Sequence, residues 1–372
     1  MTYRHQNWPR PILAWLAKCY SLAVRVRLTL YRTHYLKSKR LGATTISVGN
    51  IAVGGTGKTP LVEYLARYLT NRGYSVAILT RGYGRKHARE RQLVSDGQRI
   101  LNDATLAGDE PLLLARRLPG VVIIAEPDRY SAGKWAEREF GVDLHLLDDA
   151  FQYLELERDV NFLVVDARDP FGGERPLPAG RLREPLSEIA RAGAIIVTGS
   201  DHPFDQMDLE AKIQALAGQK PIFYAYRDLI ALRNPLTGDT APPQRLINQF
   251  VSAVCAIGQP EHFFEDVRHF QANIVHQRVF PDHHQFSQKE IQATFAQARA
   301  AGARWLLTTE KDWVRMERLT LPSEPALWVA QSELRILEEA KLLSFLLQSI
   351  EGETLSPPPS RSATTSLDGE VQ

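Results

Sequence analysis

Ala52-Val-Gly-Gly-Thr-Gly-Lys-Thr59 follows the apolar run Thr45-Ile-Ser-Val48 and precedes a helical pattern opening at Pro60. A strand, a glycine-rich turn and a helix beginning with proline are the context in which Gly-Lys-Thr marks a phosphate-binding loop. Glycines let successive backbone N–H groups turn inward on phosphate oxygens, and the helix N-terminus adds positive potential. Ala52, Val53, Gly54, Gly55, Thr56 and Gly57 would form the cradle. Lys58 would reach the β- and γ-phosphates, and the Thr59 hydroxyl would ligate Mg²⁺. Ala52 stands where such loops usually begin with glycine. A plain hairpin turn would leave Lys58-Thr59 at a helix start unexplained.

Working outward, short apolar runs at 75–79, 121–124, 144–147, 161–165 and 194–197 read as buried strands, with helical patterns at 60–72, 109–118 and 129–140 between them. This alternation predicts an α/β fold of the phosphate-loop type, a mostly parallel sheet with helices on both faces. Ligands on such sheets collect at the carboxyl ends of the strands. Asp148 and Asp149 follow one strand, and an acid there is what a phosphate-loop enzyme needs to hold Mg²⁺. Two adjacent acids in extended chain point to opposite sides, so one of the pair is expected to face the metal. Asp109 has two readings, a helix N-cap or a carboxylate aimed at the cleft. Arg81-Gly-Tyr-Gly84 suits a loop that folds over a ligand. The turn-rich loop 169–185 carries Arg175, Arg181 and Arg183, residues suited to an anion.

A second, smaller α/β unit is expected after a linker or hairpin at 225–250. It has strands at 251–257, 274–279 and 305–308, helices near 260–270 and 287–301, and the polar segments Phe280-Pro-Asp-His-His284 and Thr308-Thr-Glu-Lys-Asp312. The expected organisation is therefore a basic helix over 1–40, a nucleotide-binding domain over 41–224, the smaller unit over 251–350 and a disordered tail over 351–372.

At 372 residues the chain exceeds the size at which one core stops growing, consistent with two units. Two cysteines exclude a disulfide framework and favour a reducing compartment. The net charge of +2 conceals an asymmetry: residues 1–62 hold ten Lys/Arg and no acid, leaving 35 basic against 43 acidic residues beyond. Such an offset points to an anionic partner. Leu13, Leu16, Tyr20, Val24, Leu28, Tyr31 and Tyr35 recur at helical spacing, with Trp8 and Trp15 suited to a headgroup layer. The apolar stretch 11–17 is far too short to span a bilayer. A basic amphipathic helix lying in the membrane interface is expected, and its aromatic stripe suits lipid better than nucleic acid.

Ser47-Val-Gly-Asn50, Gly54-Gly-Thr-Gly-Lys-Thr-Pro60, Arg81-Gly-Tyr-Gly84, Gly108-Asp-Glu-Pro111, Asp148-Asp-Ala-Phe-Gln152, Pro178-Ala-Gly-Arg-Leu-Arg-Glu184, Asp282-His283 and Thr309-Glu-Lys-Asp312 occur in one order. Together they resemble the tetraacyldisaccharide 4′-kinases, which make lipid A in Gram-negative bacteria, from the basic helix to about residue 345. The resemblance implies transfer of the γ-phosphate of ATP to the 4′-hydroxyl of an acylated glucosamine disaccharide 1-phosphate, with Mg²⁺, giving lipid IVA. It implies that Asp109 pairs with His283 to activate that hydroxyl, while Lys58, Thr59, Asp148 and Asp149 serve nucleotide and metal. Arg129, Arg183 and Glu184 would meet phosphate or substrate. A two-domain enzyme with its active site in the cleft follows from the same likeness, and with the lipid-suited stripe a place at the cytoplasmic face of the inner membrane, with no nucleic-acid partner, is expected.

Two rivals carry different signatures. A phosphate-loop GTPase would select guanine with Asn/Thr-Lys-x-Asp, and in Thr309-Glu-Lys-Asp312 the lysine is displaced. A membrane-bound ATP switch of the partitioning type would carry a second lysine early in the phosphate loop, and this loop has none.

Overall fold

The computed structural model describes residues 10–199 and 207–352; Trp8 and the tail from 353 onward lie outside the described residues. Helix α1 (Arg10–Arg32) leads to strand β1 (Thr44–Gly49), the phosphate loop and helix α2 (Lys58–Asn71). There follow β2 (Val76–Thr80), β3 (Gln92–Asp96), α3 (Ala104–Ala107), α4 (Asp109–Arg117) and β4 (Val122–Ala125). The first half closes with α5 (Arg129–Phe140), β5 (Leu144–Asp148), β6 (Val160–Asp166), β7 (Ala194–Thr198) and α6 (Met207–Ala217). The second half holds β8 (Ile222–Arg233), β9 (Thr240–Ala241), β10 (Phe250–Cys255), α7 (Pro260–His269) and β11 (Asn273–Val279). After these come α8 (Gln288–Ala300), β12 (Trp305–Thr309), α9 (Glu310–Met316), β13 (Ala326–Ile336) and α10 (Glu339–Glu351).

The strands form one continuous sheet in the order β11-β10-β12-β13-β8-β7-β6-β1-β5-β2-β4-β3, with β9 beside β8. Pairing is parallel except at β3/β4, β8/β13 and β8/β9. Strands such as β2, β5, β6 and β7 are buried along their whole length, because helices cover both faces and leave no wet side to alternate with. Strand β1 lies between β5 and β6, where the order of strands reverses, so a crevice opens beyond its carboxyl end. The phosphate loop occupies that position.

Two expected boundaries change. Residues 225–233, inside the stretch read as a linker or hairpin, belong to β8. That strand runs parallel to β7 at Ile222–Tyr224 and antiparallel to β13 from Ala225 onward, so one strand serves both halves. Thr240–Ala241 then fold back on Leu232 and Arg233. The unit expected over 251–350 also loses its last helix. Leu342, Leu346 and Ile350 of α10 are buried in the first half's core with Leu69, Val160 and Phe162. Each such side chain contributes about 1.5–3 kcal/mol by leaving water. Segmenting a sequence linearly cannot show that the chain returns.

Helix α1 corrects the expected membrane face. Leu13, Leu16, Tyr20, Val24, Leu28 and Tyr31 turn toward the protein, and Tyr35 lies beyond the helix and is exposed. The outward apolar stripe is instead Ile12, Trp15, Leu22 and Val26, with Cys19 between them. Both stripes step by three and four, so periodicity alone could not say which one the fold covers.

Candidate active site

Gly54 and Gly57 of the phosphate loop have φ of 144° and 87°, conformations that side-chain-bearing residues rarely adopt. A Cβ on Gly54 would also stand 2.3 Å from the Arg181 guanidinium. The loop is strapped from outside by the segment after Pro178. Val53 N donates to Arg181 O at 2.8 Å, Arg183 N donates to Ile51 O at 2.8 Å, and Arg181 Nε donates to Val53 O at 2.9 Å. Thr198 Oγ1 donates to Thr56 O from the other side. The arginines of the 169–185 loop thus diverge: Arg181 braces the phosphate loop, Arg183 enters the cleft and Arg175 is exposed. Lys58 curls over its own loop, with Nζ 3.3 Å from Gly54 O and 3.6 Å from Asp149 Oδ1.

Asp148, the last residue of β5, and Asp149 just after it take distinct surroundings. Asp148 Oδ2 lies 3.4 Å from Thr59 Oγ1, while Asp149 Oδ1 accepts from Arg183 Nη1 at 2.8 Å. Asp149 has φ of 50°, which breaks the extended alternation, and both carboxylates line the same cleft. The expectation of a single inward acid fails for that reason. Burial, with Glu110 and Asp149 nearby, holds Asp148 well above the usual carboxylate range. Burial also acts on Asp149, but Lys58 and Arg183 outweigh it and bring its pKa down to about 2. Asp148 Oδ1 is buried without a hydrogen-bond partner, and Glu110 Oε2 stands 3.5 Å from Thr59 Oγ1. An orphaned carboxylate oxygen among hydroxyl and carboxylate donors fits a hard divalent cation such as Mg²⁺. Glu110 escaped the sequence reading; its signal was adjacency to Asp109 in Gly108-Asp-Glu-Pro111.

Asp109 is the first residue of α4 and not its N-cap, a position held by Gly108 with φ of 90°. Its carboxylate meets the second half of the molecule. His283 Nδ1 lies 3.3 Å from Asp109 Oδ2, and Arg315 Nε donates to the same oxygen at 2.6 Å. Burial pushes the Asp109 pKa up, yet the His283 hydrogen bond and the Arg315 charge leave it below the ordinary value. His283 has φ of 60° and its ring lies against Tyr83 at 5.2 Å. His284 turns away: it stacks on Phe280 and contacts Glu290 at 3.1 Å. Of the two adjacent histidines, His283 is the one that lines the cleft.

On the far wall, Arg129 is buried, donates to Pro127 O and leaves Nε without a partner. Glu184 is buried and paired with Arg191; burial raises its pKa. Helix α1 is tied to this wall, because Tyr20 Oη donates to Arg183 O at 2.8 Å and Arg27 Nη1 donates to Gln152 O at 3.1 Å. Leu13, Tyr20 and Val24 extend the cleft with an apolar flank, and the whole opening measures about 2240 Å³. One cavity therefore joins an anion cradle, a carboxylate–imidazole pair and an apolar groove.

Comparison with known proteins finds relatives over most of the chain. The family described as Tetraacyldisaccharide-1-P 4'-kinase matches residues 9–351. A tetraacyldisaccharide 4'-kinase of Pelobacter propionicus is 37% identical, covering 88% of this chain and 89% of that one. Another, from Geobacter sulfurreducens, is 39% identical over 82% and 84% of the respective chains. Among solved structures, LpxK from Aquifex aeolicus in complex with ATP superposes with a TM-score of 0.72 at 31% identity, covering 92% of this chain and 99% of that one. On a match of this extent, the chain belongs to the tetraacyldisaccharide-1-P 4'-kinase family.

Proposed function

We propose that Asp109 and His283 perform the proton transfer in this family's reaction, and that the walls of the cleft divide the two substrates between them. The chain is an ATP-dependent lipid kinase of lipid A biosynthesis. It moves the γ-phosphate of ATP to the 4′-hydroxyl of a tetraacyldisaccharide 1-phosphate, giving lipid IVA, with Mg²⁺ as cofactor. The observation that carries the assignment of the pair is the 3.3 Å approach of His283 to Asp109 at the wall facing the phosphate loop. The hydroxyl proton passes to the pair, the sugar oxygen bonds to the γ-phosphorus, and the bond to the β–γ bridging oxygen breaks to release ADP. Lys58 balances charge on the phosphates. Thr59, Asp148, Asp149 and Glu110 would hold Mg²⁺, which supplies charge neutralisation between the phosphates.

Arg129, with an unpaired buried Nε, and Arg183 suit phosphate or substrate oxygens, and Glu184, next to Arg183 in the chain, is held by its ion pair with Arg191. The inward stripe of α1 suits acyl chains, because it continues the cleft as an apolar wall. The outward stripe, flanked by exposed Lys18 and Arg25, suits the headgroup boundary of the cytoplasmic face of the inner membrane. Among the described residues no helix is long and apolar enough to cross a membrane. The test is incubation with γ-labelled ATP, Mg²⁺ and the lipid disaccharide 1-phosphate. Label should enter the lipid with wild type, and Asp109→Ala and His283→Ala should leave it unlabelled on the same timescale. Labelling by either variant at the wild-type rate would remove that residue from the chemistry.

A further inference from the structure

The Thr309-Glu-Lys-Asp312 segment has no part in the nucleotide or lipid contacts described above, yet it forms the start of α9, which packs on α4 across the cleft. Thr309 caps the helix by accepting from Asp312 N, and its hydroxyl donates to Asp312 Oδ2 at 2.7 Å. Ala256 N donates to the same oxygen at 3.1 Å. Asp312 is thereby fixed with no exposed surface, and its other oxygen accepts from Arg315 Nη1 at 3.1 Å, one helical turn on. Arg315 Nη1 also donates to Ala256 O. The rest of the guanidinium points at the reacting pair: Nε donates to Asp109 Oδ2, and Nη2 lies 3.3 Å from His283 Nδ1.

We propose that Arg315 is a positioning residue for the Asp109–His283 pair, and that Asp312 and Thr309 exist in this sequence to hold Arg315. The proposal rests on the reading of Asp109 and His283 as the proton-transfer pair. A guanidinium is a planar fork of donors, so fixing one edge on Asp312 and Ala256 fixes the direction of the other. Asp109 comes from the first half of the molecule and His283 from the second; Arg315 touches both, so it sets their separation. The side chain is 1% exposed. A buried ion pair is often replaceable by apolar side chains without loss of stability, so stability alone does not account for this network; a single arrangement is what an acid–base pair built across a cleft requires. A misplacement of about 1 Å at such a pair costs on the order of 10²-fold in rate.

The experiment compares Arg315→Ala, Arg315→Lys and Asp312→Asn with Asp109→Ala, measuring kcat and KM for ATP and lipid, with ATP-induced thermal stabilisation to show that the phosphate loop is intact. Arg315→Ala should lose about 10²-fold in kcat, with the KM for ATP within a few-fold of wild type. Arg315→Lys should recover part of that loss, because it restores the cation without the fork. Added guanidinium at non-denaturing concentration should restore at least tenfold to Arg315→Ala and nothing to Asp109→Ala. A purely structural arginine would yield neither rescue, and a folded Arg315→Ala enzyme that neither lysine nor guanidinium restores overturns the proposal. So does a kcat near wild type. Should Arg315→Ala not fold, Asp312→Asn decides: a tenfold fall in kcat supports the network, and an unchanged kcat overturns it. If Asp109→Ala itself retains turnover, the underlying assignment of the pair has failed, whatever the arginine does.

Discussion

At the scale of single residues, the cleft sets the phosphate loop on one wall and the Asp109–His283 contact on another. Lys58 touches Gly54 O and Asp149 before any nucleotide is considered, so its charge is already aimed into the cradle. Lys58→Ala should therefore lower kcat by ~10²-fold or more through lost transition-state stabilisation, with an unchanged melting temperature; turnover within a few-fold of wild type would remove Lys58 from the chemistry. Glu110→Gln should raise the Mg²⁺ concentration needed for half-maximal activity by ~10-fold, as expected when a carboxylate near a metal is neutralised. An unchanged Mg²⁺ titration would confine Glu110 to its ion pair with Lys311. Lys58, Thr59, Asp148 and Asp109 were legible because each sits in a short motif beside a strand or helix end. Glu110 was missed although it adjoins Asp109, because only the fold brings it near Thr59; Arg315 was not legible, since its contact with Asp109 joins residues more than 200 apart in sequence. The φ of Asp149 was equally hidden, as nothing in Asp-Asp announces a left-handed turn.

At the scale of elements, most strands and helices of the first half were readable from apolar runs and periodicity, because strands buried on both faces are uninterrupted in composition. Strand β8 was not: Arg227-Asp228 interrupts its apolar pattern within the stretch that pairs with β13. Helix α1 was found, but with its faces exchanged. The two stripes now predict separable effects. Trp15→Glu with Leu22→Glu should release the protein from anionic vesicles and leave kcat on detergent-dispersed substrate unchanged. Val24→Asp, on the inward stripe, should raise the KM for the acylated substrate with little change in the KM for ATP. A vesicle-sedimentation assay in which only Val24→Asp releases the protein would reverse the assignment. Helix α10 gives a stability test. Leu346 is fully buried against the first half, so Leu346→Ala should cost about 2–5 kcal/mol in denaturant unfolding. A loss below 0.5 kcal/mol would mean that α10 is not part of that core.

At the scale of the whole molecule, one sheet carries two crevices toward a common cleft. The carboxyl end of β1 presents the phosphate loop, and the carboxyl ends of β10, β11 and β12 present Gln259, His283 and α9. Ion pairs between α4 and α9, Arg117 with Glu310 and Arg116 with Glu317, hold the facing walls together around Asp109. On the proposed reading the chemistry draws parts from both halves, with Asp109 and His283 acting as one unit across that cleft. Their coupling is measured most directly by a double-mutant cycle in kcat with Asp109→Ala, His283→Ala and the double variant. Each single substitution should lower turnover by ~10²–10⁴-fold, and the double variant should fall little below the worse single one, because residues acting as a unit are non-additive. Losses that multiply in full would show that the two act separately and would contradict the account.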